Sequence, residues 1–387
     1  MADLQALYNE RVERMEKVYN RGIPDRVPVY SMVDNYAIHY AGYTLKEVIE
    51  DEEKQYRAYE KIMLDFFWDS TMYSGVTKAM KFFNKLGGGT FKVTDSLQVE
   101  GGAAEIMNAD EYKELAKDPA KFMLNVLYPR KYGLFTEDIS FEEKYKRFAS
   151  AVDELFAFLD LGKRNTQRLK DEHGILVSRG ATMFMPLDII LDFLRDFQGT
   201  MLDIRRRPQE VAEACDALAD YLLQMIEDSY PNHIPGHMIF IPLHVPQFLR
   251  PKAFEQVYWP SFKKILDAFS KKGYKALCYF ERNWEHLYDY LQELPKNTVV
   301  GLFEDDDIRK AKKELGHIMC IAGGMPVNKL MYGTKEECVD YTKSLLDDMA
   351  PGGGYIFCSN VILHNAKDAK PENLRAVNEY VRDNGKY

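Results

Sequence analysis

Residues 275–323 read KALCYFERNWEHLYDYLQELPKNTVVGLFEDDDIRKAKKELGHIMCIAG. Three short apolar runs stand in this stretch: Lys275–Glu281 (KALCYFE), Val299–Glu304 (VVGLFE) and Ile318–Gly323 (IMCIAG). Between them lie WEHLYDYLQEL and DIRKAKKELG, which carry helical periodicity. A strand that is apolar along its whole length is covered on both faces, which means a parallel sheet wrapped by helices. The alternation continues outward in both directions. Upstream stand GILVSRGAT (174–182) and MIFIPLH (238–244), with PQEVAEACDALADYLLQMIEDSY and KAFEQVYWPSFKKILDAFSKKG as helices. Downstream stand TKEECVDYTKSLLDDMA and then YIFCS (355–359). Such a run of strand–helix units predicts a closed (β/α)8 barrel, an α/β fold, over an open doubly wound sheet.

RVPVYSM (26–32) and FFWDSTMYSG (66–75) supply the first two strands, with KEVIEDEEKQYRAYEKIML as the helix between them. Residues 80–165 do not fit the repeat. GGGTFKVTDSLQVEGGAAEI reads as a β-hairpin excursion, and a helical segment follows, so this stretch is expected to be an α+β insertion in a single domain spanning 1–387. It could close as a lid or simply pack. Gly352, Gly353 and Gly354 precede a strand, the wrong order for a phosphate cradle at a helix N-terminus, and are expected to form a turn.

The 387-residue chain is 46% hydrophobic, with 51 basic against 60 acidic residues and a net charge of −9. Scattered charge with an acidic excess argues against a nucleic-acid surface. The N-terminus lacks the apolar core of a signal peptide, and no apolar run is long enough for a membrane span. Five cysteines without a C-x-x-C pair fit a reducing cytoplasm.

In a parallel barrel the chemistry sits where the strands end. His244 ends MIFIPLH. Glu281 ends KALCYFE and is followed by Arg282 and Asn283. VVGLFE runs into Glu304–Asp307, a run that also suits capping of the helix after it. Cys320 lies in IMCIAG, and Cys358, Ser359 and Asn360 lie at the last strand. Asp34, Asn35 and Asp69 follow or lie within the first two. His244, Glu281 and Cys320 form an N/O/S donor set suited to zinc with one open position. The alternative is that Glu281 pairs with a cation, His244 is a satisfied polar residue and Cys320 belongs to the core. Trp68, Tyr73, Met183, Phe184, Phe280 and Trp284, with Asn35, are candidates to line an aromatic substrate pocket, or to be core.

The tail GGMPVNKLMYGTKEECVDYTKSLLDDMAPGGGYIFCSN, then KPENLRAVNEYVRDNGKY, resembles the uroporphyrinogen-decarboxylase superfamily, as do DRVPV and LDFLRDFQGTMLDIRRRPQEV. Decarboxylases of that superfamily carry an arginine-rich segment after the first strand. Here the place reads Met32-Val33-Asp34-Asn35-Tyr36-Ala37, which predicts an acidic mouth rather than a cationic clamp. The thiol-methylating branch carries H-x-C-G-N where this chain has Tyr279-Phe280-Glu281-Arg282-Asn283. IPLHVPQFLRPKAFEQVYWP, CYFERNW and MCIAGGMP are similar instead to the first methyltransferases of anaerobic O-demethylation, with Arg282 replacing a glycine and Gly324 an asparagine.

That resemblance implies a methyltransferase moving a methyl group from a methoxylated aromatic donor to a corrinoid (cobalamin) held by a separate partner protein. Zinc on His244, Glu281 and Cys320 would act as Lewis acid, and Tyr279, Glu281 or Asp34 as proton-handling catalytic residues. It is also compatible with a homodimer. The rival expectations are a decarboxylase or lyase acting on a small carboxylic acid, and a barrel that has lost its chemistry and only handles a corrinoid protein.

Overall fold

The computed structural model describes residues 3–88, 91–94, 97–99 and 106–387. The first two barrel strands, β1 (Tyr30–Ser31) and β2 (Ser70–Thr71), pair in parallel. The insertion then contributes an antiparallel hairpin of β3 (Phe91–Val93) and β4 (Leu97–Val99). β5 (Leu176–Val177) pairs with β2. From β6 (Arg179–Thr182) the parallel order runs unbroken through β7 (Met238–Leu243), β8 (Ala276–Phe280), β9 (Val299–Phe303), β10 (Cys320–Met325) and β11 (Tyr355–Ser359).

Two joints close this set into a ring. Ser178 donates its N–H to Thr71 O at 2.9 Å and accepts from Met238 N at 2.7 Å, so β5 and β6 form one stave kinked at Ser178. On the far side Val29 bridges Phe357 in parallel, and Phe357 N–H donates to Pro28 O at 2.9 Å. The result is the eight-staved barrel that the apolar periodicity predicts.

β7 to β11 are buried at every residue, because side chains fill the barrel on one face and meet helices on the other. Helix Trp259–Lys272 buries Trp259, Phe262, Ile265, Leu266 and Phe269 as one stripe and stops at Gly273, whose φ of 74° suits a residue without Cβ. Helix Lys335–Met349 starts with a capping box from Thr334 and Glu337.

Two boundaries differ from the sequence reading. The helix expected over KEVIEDEEKQYRAYEKIML is two, Leu45–Glu50 and Glu52–Asp65, because the Asp51 side chain caps the second by accepting from Glu53 N and Lys54 N. The strand expected from Ile318 starts at Cys320, since the N–H groups of Ile318 and Met319 are held by Leu315 O at the end of the preceding helix.

The hairpin expectation holds for β3 and β4, while residues 89–90, 95–96 and 100–105 of that excursion lie outside the described residues. Helix Phe141–His173 carries the chain from the insertion back to β5 and ends on Gly174, φ 62°. The insertion is tied down by a buried ion pair, Arg195 Nε to Asp203 Oδ2 at 2.7 Å. Arg195 also donates to Met107 O at 2.6 Å, and Tyr112 Oη donates to Asp203 at 3.0 Å. Among the described residues no helix is long and apolar enough to cross a membrane.

Arg195→Met removes the buried partner of Asp203 and leaves its carboxylate with Tyr112 Oη and the 3.5 Å contact to Arg207. Breaking a buried pair in this way lowers the unfolding free energy by about 3–5 kcal/mol. Urea denaturation reads this directly, and a loss below about 1 kcal/mol, the range of surface pairs, contradicts it.

Candidate active site

Strand register fixes the height of each candidate. Phe240, Leu277, Val300 and Cys320 are register partners in one row, and Leu243, Phe280, Phe303 and Gly323 form a higher row. His244 and Glu281 each follow that higher row directly, at the C-terminal mouth. Cys320 opens its strand four residues lower, roughly 13 Å away at about 3.3 Å per residue. Its thiol is fully enclosed, and burial pushes its pKa up to about 12. Metal–ligand bonds of about 2.0–2.3 Å cannot span that gap. The expected zinc set of His244, Glu281 and Cys320 is therefore corrected: two donors converge, and the third is a core cysteine.

His244 is the centre of the mouth. Its Nδ1 lies 2.6 Å from Asp192 Oδ2 and its Nε2 lies 3.1 Å from Glu281 Oε1. A ring between two carboxylates carries a proton on each nitrogen. Burial pulls the imidazole pKa down, but the bonds from Asp192 and Glu281 overcome this and hold it up at about 11. The turn bearing His244 is set by Asp188, which is fully buried. Asp188 Oδ1 accepts the N–H groups of His244 and Val245 at 2.7 and 2.8 Å, and Oδ2 accepts from Tyr258 Oη at 2.7 Å. Asp188 and Asp192 both come from the segment after β6, where Pro186–Ile189 is α-helical and Ile190–Arg195 widens into a π-helix.

The other expected catalytic residues surround this centre. Asp34 accepts from Tyr59 Oη at 3.4 Å and pairs with His364 Nδ1 at 3.2 Å. Burial lowers the pKa of His364, but Asp34 chiefly reverses this and holds it above the usual value, with smaller contributions from Asp368 and Glu281. Tyr279 donates to Glu304 Oε2 at 3.4 Å; burial raises both groups. Of the acidic run, Asp307 caps helix Ile308–Leu315, Glu304 accepts from Arg282 N, and Asp306 holds Trp284 N and Tyr288 Oη. The capping expectation thus applies to Asp307.

The aromatic candidates separate clearly. Phe184 stands at the site, its ring 6.2 Å from that of His244 and 5.2 Å from Phe193. Tyr73 is buried beneath Arg179, whose guanidinium carbon lies 4.9 Å from the ring centre. Asn35 is buried behind Asp34 with its Oδ1 unbonded. Met183 is buried, its N–H held by Phe240 O. Three expectations are corrected. Trp284 and Phe280 are fully enclosed, packed on each other at 4.8 Å, with Phe280 stacked on Phe303. Trp68 precedes β2, donates to Ile62 O, and lines a small apolar space beside helix Pro371–Asn384, away from His244. Their surfaces are spent on the core.

The expected acidic mouth also needs correction. No arginine follows β1, but Lys78 brings positive charge from the segment after β2, and Arg179, whose backbone pairs with Met238 at the base of β7, extends its guanidinium over Tyr73 of that segment. Burial lowers the Lys78 amine, and the fields of Asp34, Arg179 and Asp192 reach it. The insertion arrives here too: Phe91 of β3 lies 4.8 Å from Lys78 Nζ, and Lys131 lies 5.2 Å from the Phe193 ring. Sequence reasoning missed Asp188, Asp192, His364, Lys78 and Arg179. Only the four-residue spacing of Asp188 and Asp192 in PLDIILDF gave a signal, since it places both on one helical face.

The two departures, one after β8 and one within β10, have a backbone cause. Arg282 stands where the O-demethylase pattern has glycine and is held at φ 59°, a left-handed conformation. Gly324 has φ 98°, a backbone conformation that strains a residue with Cβ, and a Cβ there would also press on the Leu345 side chain. Among the described residues, a three-donor group compact enough for a metal occurs at Glu60, Glu172 and His173. It lies on the outer helices, and its carboxylates are already engaged by Arg57, Arg168 and Tyr56.

A barrel with a proton-bearing histidine and ringed carboxylates at its C-terminal mouth defines a (β/α)8-barrel enzyme. The family model for uroporphyrinogen decarboxylase (URO-D) matches residues 142–384, and the chain belongs to that family. Among solved structures, a methyltransferase from Methanosarcina mazei superposes with a TM-score of 0.65, covering 96% of this chain and 98% of that one at 13% identity. At that identity the likeness establishes the shared fold. No curated protein matches the chain.

Two outcomes follow. Arg282→Gly relieves the left-handed strain and raises stability by about 0.5–1 kcal/mol, after allowing for the extra chain entropy of glycine. A urea midpoint that falls instead contradicts the strain. The raised His244 pKa contributes stability that is complete below pH 6.5 and is lost as pH rises through about 11. The parent should therefore lose stability faster than His244→Gln between roughly pH 8 and 11. Parallel curves in thermal melts across that range would show that the imidazole is neutral.

Proposed function

We propose that this chain is the methyltransferase that releases a methyl group from a methoxylated aromatic donor, for capture by a corrinoid held on a separate protein. The observation that carries the reading is the Asp192–His244–Glu281 chain at the barrel mouth, flanked by Phe184 and Phe193. Membership of the URO-D family and the shared fold of the Methanosarcina mazei methyltransferase support it. A corrinoid supplies the nucleophile that accepts the methyl group; the residues of this chain must then deal with the departing oxygen.

An aryl ether yields a phenoxide, whose conjugate acid has a pKa of about 10. His244, held at about 11, is matched to it. In this account the ether oxygen enters beside Glu281 and shares the Nε2 proton, which passes to the oxygen as the C–O bond breaks. Asp192 stabilises the charged ring before transfer and fixes its orientation. Glu281 receives the next proton from solvent and returns it to Nε2. The zinc that the family resemblance implies does not fit the residues as a set, because Cys320 is at the wrong height, and no step is assigned to it.

The test is transfer from methoxyarenes to free cob(I)alamin, followed by the absorbance of methylcobalamin, on metal-analysed protein. The parent transfers methyl groups. His244→Gln loses about 100-fold or more, as expected for removal of a general acid, while Cys320→Ala stays within about two-fold. Full activity in His244→Gln, or bound zinc that disappears together with activity in Cys320→Ala, overturns this reading. Release of carbon dioxide from a carboxylated substrate without methyl transfer would favour the decarboxylase alternative.

A further inference from the structure

Lys78 and Arg179 are half-buried cations with which no carboxylate among the described residues forms an ion pair. Arg179 opens β6 and lies over the Tyr73 ring; Lys78 follows β2 and lies over the Phe91 ring. Among the described residues neither side chain makes an ion pair or a hydrogen bond. Lys131, also half-buried, likewise has only ring partners among the described residues, whereas several half-buried arginines are bonded. Arg14 and Arg26 pair with Asp69, Arg195 pairs with Asp203, and Arg11 is held by the carbonyls of His173 and Gly174. Leaving two like charges partly desolvated and within each other's field costs stability, which an incoming anion would return.

Their surroundings define that anion. Lys78 and Tyr73 share the short segment after β2, and Arg179 lies 4.9 Å from the Tyr73 ring centre, so the two cations meet at that segment, within reach of the fields of Asp34 and Asp192. Asp34 is matched by His364, while Asp192 and Glu281 share His244, so with Lys78 and Arg179 the group carries one surplus positive charge. A single carboxylate would neutralise that surplus, whereas a dianion would leave the group with excess negative charge. The guanidinium fork suits carboxylate geometry.

We propose that Lys78 and Arg179 form a carboxylate subsite, so that the substrate is an aromatic monocarboxylate anchored at one end and presented to His244 at the other. The identity of the reacting end rests on the proposed methyl-transfer function; the anion subsite does not.

The experiment is calorimetric titration of the full chain with benzoate, phenylphosphate and methoxybenzene, in the absence of any corrinoid. In the parent, benzoate binds at least about ten-fold more tightly than methoxybenzene. Arg179→Gln and Lys78→Gln each weaken benzoate by about ten-fold, the loss of one charge-assisted bond, and leave methoxybenzene unchanged. Lys78→Arg, which keeps the charge, stays within about three-fold of the parent. The two positions lie on different elements, and circular dichroism confirms the folding of each variant, so either alone gives a reading. Benzoate no tighter than methoxybenzene, or unaffected by both charge removals, overturns the subsite. Phenylphosphate tighter than benzoate overturns its assignment to a carboxylate. Charge-dependent benzoate binding in a protein that transfers no methyl group would leave the subsite standing and remove only the methyltransferase reading.

Discussion

The mouth of this barrel depends on one buried carboxylate. Asp188 accepts two backbone N–H groups at the turn after β7 and the hydroxyl of Tyr258, and it has no exposed surface. Burial raises its pKa to about 6, with opposing help from His244 and Tyr258. Backbone donors in a turn below a barrel mouth have few other partners, so satisfying them decides where His244 can stand. Once the turn is fixed, Asp192, one helical turn further along the same segment, meets Nδ1, and Glu281 on the neighbouring strand meets Nε2. Three carboxylates from two elements thus position and charge a single imidazole.

Around this centre, charges are balanced in pairs, and the balance explains why an acidic chain has a mouth that is not simply acidic. Asp34 is matched by His364 and Asp192 by His244, while Glu304 is tied to Tyr279 and the backbone of Arg282. Lys78 and Arg179 have aromatic neighbours in place of anions. The insertion supplies part of this, through Phe91 and Lys131, and the buried Arg195–Asp203 pair ties it to the barrel through Met107 O and Tyr112 Oη. The contacts of Phe91 and Lys131 bring it beside Lys78 and Phe193.

Much of the architecture was legible because parallel strands are buried on both faces and so read as continuous apolar runs. The same property hid the orientation of individual side chains. In YFE the sequence does not distinguish Tyr279, inside the barrel, from Phe280, packed outward on Trp284 and Phe303. His244 and Glu281 were legible as the first polar residues after apolar runs, where the barrel mouth must be. Cys320 was misplaced because IMCIAG gives no sign of where pairing begins; its level is set by Leu315 O holding Ile318 and Met319 back in the helix turn. Asp188, Asp192, Lys78, Arg179 and His364 come from a helix start, two loops and a strand base, and only the closed ring brings them together. Arg282 was flagged as a departure, and its cause is the left-handed backbone at that position.

The central claim is that His244 is a cation bonded at both nitrogens throughout the neutral range. The direct measurement is a nitrogen NMR titration of histidine-labelled protein, assigned with His244→Gln. The account predicts that both ring nitrogens of His244 keep protonated shifts past pH 9, with the change centred near pH 11. A resonance that titrates near 6.5, as a solvent-exposed histidine would, contradicts it and removes His244 as the proton donor.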